Sequence, residues 1–309
     1  IGDIPIYIDY DSADVWVHKV DVPAAPRFDA RFEPDMAMAG MEHRYLVTFG
    51  NAGNSVARGV GIRDLLDYKQ AAILGETFVR CEPVDPDDVV ECTFGAPNVV
   101  TVTHYRHAND VVIPSAGSGT LNAGDHYGFY LVTLVDPGYG LDGDDLLATN
   151  RVEIATTTVD LHVADNADSE QTLIVAEARL DVVKADDAAG FLRCDPVAPG
   201  GTIAYDLLVT NLGPSDAAEV YLVDWLSEEV VHDPDRITVE VDGQRGEVIE
   251  VRDDGHIELR LGHDPNNEGG RELGRVNAGS DPVHVRIVTP LRLDAPCGSV
   301  TTNEARVAT

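Results

Sequence analysis

The chain has 309 residues, of which 54 are acidic and 22 basic, so its formal net charge is −32. Nucleic acid and anionic membranes would be repelled, and we expect no nucleic-acid partner and no membrane insertion. Only three basic residues are lysines, at Lys19, Lys69 and Lys184. An acidic, lysine-poor surface keeps a protein soluble in strong salt, which predicts a halophilic source. A calcium-rich extracellular setting is the alternative.

Short alternating runs separated by Gly- and Pro-rich turns predict β-strands along the whole chain. The first run places Ile4, Ile6, Ile8 and Tyr10 on one face. Further strands are predicted at 15–20, 41–49, 127–135, 148–156, 169–175, 180–184, 237–241, 248–251, 256–261 and 283–293. The sequence contains no convincing amphipathic helix, so the expected fold class is all-β.

One strand–turn–strand stretch occurs twice, at 45–65 and at 205–225, with a constant offset of 160 residues. The matched pairs are Asn51 with Asn211, Gly53 with Gly213, Ser55 with Ser215 and Asp64 with Asp224. A repeat built of short strands predicts two tandem immunoglobulin-like β-sandwiches. We expect an extension at 1–10, a first repeat at 11–177 and a second repeat at 178–309.

Four cysteines fall two per repeat, and none has the spacing of a zinc site. Two disulfides are predicted, which would imply export from the cytosol. Buried free thiols are the alternative. The cysteines are Cys81, Cys92, Cys194 and Cys297.

Residues 184–309 carry a chain of motifs: Lys-x-Asp, a Pro-Gly-Gly turn, Tyr-x-Leu-x-Val-Thr-Asn-x-Gly-Pro-Ser and a late Asn-x-Ala. This series resembles the conserved repeat domain of prokaryotic surface proteins, the DUF-eleven family, and residues 14–176 resemble it more loosely. The resemblance implies Ig-like, repeat-built proteins of the cell surface or of extracellular filaments. It does not imply an enzyme.

The two repeats end differently. ATNRVEIAT at 148–156 matches TTNEARVAT at 301–309, but only the first repeat continues into a further strand, at 169–175. The run at 1–10 precedes the first strand of repeat one as that further strand precedes repeat two. We therefore expect residues 1–10 to be donated into repeat two of a neighbouring copy, which would build a head-to-tail homopolymer. An excerpt trimmed from a long multi-repeat adhesin or stalk explains the same pattern.

Two of the three lysines occupy equivalent first-strand positions, and each repeat adds a matched aspartate and asparagine. Such a set can form an intramolecular isopeptide bond, because burial deprotonates the lysine amine and keeps the carboxyl protonated. Alternatively, the lysines are exposed charges at strand edges, and the Asn and Asp side chains satisfy turn backbones. The two sets are Lys19, Asp64 and Asn150, and Lys184, Asp224 and Asn303.

Oxygen-rich loops suggest calcium sites as the only cofactor expectation, with solvated acidic loops as the alternative. The candidate calcium ligands are Asp142, Asp144, Asp145, Asp165, Asn166 and Asp168. No nucleophile elbow, phosphate loop or dinucleotide motif is present, so no enzyme is expected. A non-catalytic accessory module of a secreted enzyme remains an alternative. A glycan-binding platform is disfavoured, because Trp16 and Trp225 fall in strands expected to be core.

Overall fold

The structure is a computed structural model that describes most of the chain. The described residues are 12–22, 36–67, 75–95, 98–108, 110–114, 119–141, 146–186, 200–252, 254–261, 274–295 and 303–309. The chain divides into two compact units, Ile1–Val175 (unit 1) and Ala176–Thr309 (unit 2). This division lies beside the boundary predicted between residues 177 and 178. No described helix is long and apolar enough to cross a membrane.

Unit 1 contains thirteen described strands in two main sheets and a small ribbon. They are β1 (Val15–Val22), β2 (Met36–Met38), β3 (Glu42–Asn51), β4 (Ala57–Arg58), β5 (Gly61–Leu65), β6 (Glu76–Pro83), β7 (Asp88–Gly95), β8 (Val99–His107), β9 (Asp110–Ile113), β10 (Thr120–Leu121), β11 (His126–Val135), β12 (Leu147–Ala155) and β13 (Ala167–Val175). One sheet has the order β1-β3-β11-β6 and the other β2-β13-β12-β5-β8-β7, with β9 on β8. The buried core lies between these two sheets.

Unit 2 repeats this plan with nine described strands. They are β14 (Leu180–Asp186), β15 (Thr202–Asn211), β16 (Tyr221–Trp225), β17 (Thr238–Val241), β18 (Gln244–Arg245), β19 (Glu247–Val251), β20 (His256–Arg260), β21 (Val283–Pro290) and β22 (Glu304–Ala308). The order β14-β15-β21-β17 reproduces β1-β3-β11-β6, and β22-β16-β20 reproduces β12-β5-β8. The all-β class with two tandem Ig-like sandwiches is therefore confirmed.

A buried asparagine at the end of β3 explains the repeated motif in unit 1. Asn51 Oδ1 accepts hydrogen bonds from the backbone N–H groups of Asp14 and Gly53, both at 3.1 Å. Its Nδ2 donates to the carbonyls of Ser55 at 2.8 Å and Leu121 at 3.0 Å. One side chain therefore ties the start of β1, the turn after β3 and a distant turn together, and its amide is fully satisfied.

Asn211 makes the same four bonds in unit 2. Its Oδ1 accepts from the backbone N–H of Arg179 at 3.1 Å and Gly213 at 3.0 Å. Its Nδ2 donates to the carbonyls of Ser215 at 2.8 Å and Val276 at 3.1 Å. The two motifs match in sequence because they make matching contacts.

The glycine of the motif is required by a close approach of two backbones. A Cβ added to Gly53 would lie 2.5 Å from the carbonyl oxygen of Ser12, and one added to Gly213 would lie 2.5 Å from that of Glu177. Real Cβ atoms do not tolerate such distances, so a larger residue would displace the segment that leads into the first strand of each unit.

The expected core position of the two tryptophans is wrong. Strand alternation points Val15 and Val17 into the core and leaves Trp16 between them only partly buried. In β16 the inward position next to Trp225 belongs to Asp224, and Trp225 is likewise only partly buried. Whether an apolar residue in a strand faces the core is decided by the alternation of side chains along that strand and not by its own hydrophobicity.

Replacing Asn51 with alanine is expected to lower the free energy of unfolding of unit 1 by about 3 kcal/mol, because buried backbone groups lose their partners. Asn122→Ala, at an exposed turn position, is the matched control and should change little. Chemical unfolding of the two variants measures the difference. Equal stabilities would contradict the role given to Asn51.

Candidate functional site

A lysine lies in the core of unit 1. Lys19 belongs to β1 and shares the inward face of that strand with Val15 and Val17, so its side chain is 0% exposed. Its Nζ lies 2.5 Å from Oδ2 of Asp64 and 4.1 Å from the centre of the Tyr45 ring. The predicted alternative of an exposed strand-edge lysine does not apply to this residue.

Asp64 and Asn150 approach Lys19 from the facing sheet. In the antiparallel pair β5–β12, Asp64 lies opposite Val152, so Asn150, two residues earlier in β12, points to the same side. Asn150 is 0% exposed. Its amide lies close enough to Asp64 to lower the pKa of that carboxyl. Neither Nδ2 nor Oδ1 of Asn150, however, makes a hydrogen bond of normal geometry with any described residue.

Burial acts on both ionisable groups in the same sense. It lowers the pKa of the Lys19 ammonium, which attraction to Asp64 only partly offsets. It raises the pKa of Asp64, against the opposing effect of Lys19. A low-polarity site penalises both charges, so the pair moves toward a neutral amine beside a neutral carboxylic acid. A neutral amine is a nucleophile, and a protonated carboxyl can donate to an amide oxygen.

Unit 2 contains the same three groups. Lys184 Nζ contacts Oδ2 of Asp224 and lies 4.7 Å from the centre of the Tyr205 ring. Asp224 pairs with Ala305, so Asn303 again precedes the paired residue by two positions. The Asn303 amide makes no hydrogen bond of normal geometry among the described residues. Burial lowers the pKa of Lys184 and raises that of Asp224. The structure thus brings together both predicted sets of residues.

The two clusters differ in how well they are covered. The Lys184 side chain is 15% exposed, whereas that of Lys19 is fully enclosed. In unit 1, β13 pairs with the outer edge of β12 and covers the cluster: Asp168 Oδ2 accepts from the Lys19 backbone N–H at 3.0 Å. In unit 2, no strand of the described part of the chain pairs with the outer edge of β22.

This difference extends along β12 and its counterpart β22. Val152 and Ile154 of β12 are buried, at 0% and 3% exposure. Their counterparts in β22, Ala305 and Val307, are only partly buried, although they pack against the core of unit 2. A cleft of about 480 Å³ opens beside Asn303. It is lined by Trp225, Leu226, Ser227, Glu228, Glu229, Asn303 and Glu304.

Sequence reasoning missed several residues around Lys19. Tyr45 and Tyr205 lie under the two lysines, and they were detectable, since both open the repeated stretch at the same offset. A second buried polar network in unit 1 gave no such signal, because the set as a whole does not recur in unit 2 even though Tyr45 has a counterpart. Its members are Asp21, His43, Tyr45, Glu76, Thr133 and Thr172.

A disulfide joins Cys81 in β6 to Cys92 in β7, with an S–S distance of 2.00 Å. β6 and β7 are edge strands of the two opposing sheets, so the bond links the sheets at the edge away from β1. The other two predicted cysteines, Cys194 and Cys297, lie outside the described residues, as does the expected donor strand with Ile4, Ile6, Ile8 and Tyr10.

The expected calcium ligands are divided. Asp142, Asp144 and Asp145 lie outside the described residues. Asp165 ends a short 3₁₀ turn and Asn166 caps it, while Asp168 binds the backbone of Lys19 and lies 2.7 Å from His18 Nδ1. Calcium binding stays a prediction. Within the described ranges, the metal-like grouping of acidic and His side chains is instead Glu250, His256 and Glu258.

No family model matches the chain, and none of the curated proteins matches it. Among solved structures, it is similar to the C-terminal domain of the Streptococcus agalactiae AgI/II polypeptide BspA, with 12% identity over 94% of this chain and 95% of that one, and a TM-score of 0.26. A partial N-terminal region of the enterococcal surface protein shows 13% identity over 100% and 93% of the two chains, with a TM-score of 0.28. AvmM, which catalyses macrocyclization in alchivemycin A biosynthesis, shows 10% identity over 53% and 89%, with a TM-score of 0.30. Scores this low do not decide between surface proteins and enzymes.

Removing the disulfide with the double substitution Cys81→Ser and Cys92→Ser is expected to lower the unfolding free energy of unit 1 by about 2–3 kcal/mol, because the unfolded chain regains loop freedom. Calorimetry should show the transition of unit 1 shifted to lower temperature and that of unit 2 unchanged. Loss of stability in unit 2 alone would contradict the placement of this bond.

Proposed function

We propose that this chain is a non-catalytic structural subunit of an extracellular filament or surface array. Copies join head to tail when residues 1–10 of one copy add as a strand to unit 2 of the next. The observation that carries the proposal is the outer edge of β22, which no described strand covers, compared with the edge of β12, which β13 covers. A sheet edge with free backbone groups and partly buried apolar side chains is a template for an added strand.

The covering strand of unit 1 indicates what the added strand must provide. Thr172 and Ile174 of β13 are buried at 0% and 1% exposure, in alternating positions that face the sandwich. The run at residues 1–10 offers the same alternation with Ile4, Ile6 and Ile8. It also leads directly into β1, as β13 leads into β14. A strand of this pattern would cover β22 with its apolar face inward.

Charge sets the conditions under which copies can join. Each copy carries a formal charge of −32, so two copies repel one another at low ionic strength. At molar concentration, salt screens this repulsion within a few ångströms. Salt does not weaken the burial of apolar side chains against the edge of β22. Assembly is therefore expected in strong salt, consistent with the acidic composition.

Two other roles leave a different signature. In a long multi-repeat stalk, a strand that follows residue 309 in the natural protein would cover β22 within the same chain. In a secreted enzyme, the two units would be an accessory module beside a catalytic domain. Both roles make residues 1–10 dispensable for covering β22, and the test below separates them from the proposal.

Deleting residues 1–10 is expected to abolish filament formation in strong salt, because no strand is then available to pair with β22 of the next copy. Negative-stain electron microscopy measures this. A synthetic peptide of residues 1–10 should bind the truncated chain and raise the unfolding temperature of unit 2. A peptide with Ile4, Ile6 and Ile8 replaced by aspartate is the matched control and should not bind. Filaments that persist after the deletion would refute strand donation.

A further inference from the structure

We propose that each unit closes itself with an isopeptide bond, Lys19 to Asn150 and Lys184 to Asn303, and that the second bond forms only after a strand covers β22. The first bond is independent of how the protein assembles. The timing of the second rests on the proposed function, because it requires the donated strand. The chain would thus carry one crosslink made on folding and one made on assembly.

The reaction needs no external reagent. The neutral Nζ of the lysine attacks Cγ of the asparagine, while the aspartic acid donates a hydrogen bond to Oδ1 of the amide. The new Cγ–Nζ bond forms, the proton leaving Nζ passes through the aspartate to Nδ2, and the Cγ–Nδ2 bond breaks. One ammonia leaves and the aspartic acid is regenerated, so each bond removes the mass of one ammonia.

The unsatisfied amide is the observation that favours a reaction over a static ion pair. A buried amide normally has hydrogen-bond partners, since an unpaired one costs free energy. Asn150 is fully buried with both polar atoms unbonded among the described residues, and it faces the carboxyl that already binds Lys19. Conversion to a secondary amide removes two of the polar groups that burial penalises, the lysine amine and the free NH₂ of the asparagine.

The same three groups recur in unit 2 at the same places in the sheets. The lysine lies on the first strand, the aspartate on β5 or β16 of the facing sheet, and the asparagine on β12 or directly before β22. Independent surface ion pairs would not be expected to repeat this arrangement with a scarce residue type. Lysine occurs three times in the chain, and two of the three occupy these positions.

Coverage decides when each site can react. Lys19 is sealed by β13, so its cluster is dry as soon as unit 1 folds. Lys184 retains 15% exposure, and the cleft beside Asn303 admits water. Water at the exposed part of Lys184 stabilises its ammonium form, and an ammonium is not a nucleophile. A strand on β22 would exclude this water and give unit 2 the environment that unit 1 already has.

The bonds would complement the disulfide mechanically. The first would join β1 to β12 and the second β14 to β22, and in each unit these two strands belong to opposing sheets. In unit 1, the Cys81–Cys92 bond closes the opposite edge of the same two sheets. In unit 2, a crosslink formed after strand addition would hold β22, the strand that pairs with the donated strand, to β14 of the opposing sheet.

Intact-mass spectrometry of the reduced, denatured chain tests the proposal. Monomers are expected to lack one ammonia relative to the sequence mass, and chains taken from filaments to lack two. Adding the peptide of residues 1–10 to the truncated chain should convert the first mass to the second. Lys19→Arg should abolish the first loss and Lys184→Arg the second, while Lys69→Arg, the matched control, changes neither.

The acidic residues have a separate test. Asp64→Asn and Asp224→Asn keep the lysine and the asparagine but remove the proton carrier, so each should prevent the loss at its own unit only. If a variant fails to fold, the mass of the wild-type chain still shows whether the crosslinks form. A folded wild-type chain with its full sequence mass would refute the crosslinks. Two ammonia losses in monomers would refute the dependence on assembly and leave the bonds. Absence of filaments would refute the proposed function alone, since the first loss needs no assembly.

Discussion

The contact between an inward-facing lysine and a buried carboxyl group is the feature that both sandwiches share, and in unit 1 it is fully enclosed. Burying two opposite charges costs several kcal/mol of desolvation, which their attraction does not fully return. In unit 1 the Lys19–Asp64 contact is nevertheless placed at 0% and 3% side-chain exposure, among aliphatic and aromatic neighbours. The desolvation cost falls when one proton moves from the Lys19 ammonium to the Asp64 carboxylate, because both groups are then neutral. That form is also the one that can react with the adjacent amide.

The position of this lysine is set from a distance by the asparagine turn. Asn51 holds the backbone N–H of Asp14, and Asn211 holds that of Arg179. In both units the lysine follows the held residue by the same interval, from Asp14 to Lys19 and from Arg179 to Lys184. Since side chains alternate along a strand, fixing the start of β1 and of β14 decides that the lysine points into the core. The repeated motif thus fixes the register of the first strand of each unit, and with it the inward direction of the lysine.

Much of this organisation could be predicted from the sequence, because repetition substitutes for an alignment. The constant offset of 160 residues matched Asp64 with Asp224, and the similar first-strand and late-strand motifs matched Lys19 with Lys184 and Asn150 with Asn303. Periodicity predicted the strands. Hydrophobicity alone wrongly predicted that Trp16 and Trp225 face the core, because the alternation of side chains along each strand decides which residues point inward. The network around Glu76 was unpredictable, since contacts between opposing sheets leave no trace in local pattern unless both partners recur.

The two units differ in how the described strands cover the buried lysine cluster. The same strands surround both clusters, but β13 covers the first, whereas the edge of β22 has no partner among the described strands. Burial of the lysine follows this coverage, from complete enclosure at Lys19 to partial exposure at Lys184. Reactivity, in this view, is a consequence of strand addition and not of different catalytic residues.

Peptide mapping of the folded chain examines the buried site most directly. Proteolysis after denaturation and reduction should release one branched peptide, in which the segment around Lys19 is joined through its side chain to the segment around Asn150. Its mass should equal the sum of the two segments less one ammonia. Recovery of the two segments as separate linear peptides, with Lys19 and Asn150 unmodified, would contradict the central claim that the buried lysine and asparagine react.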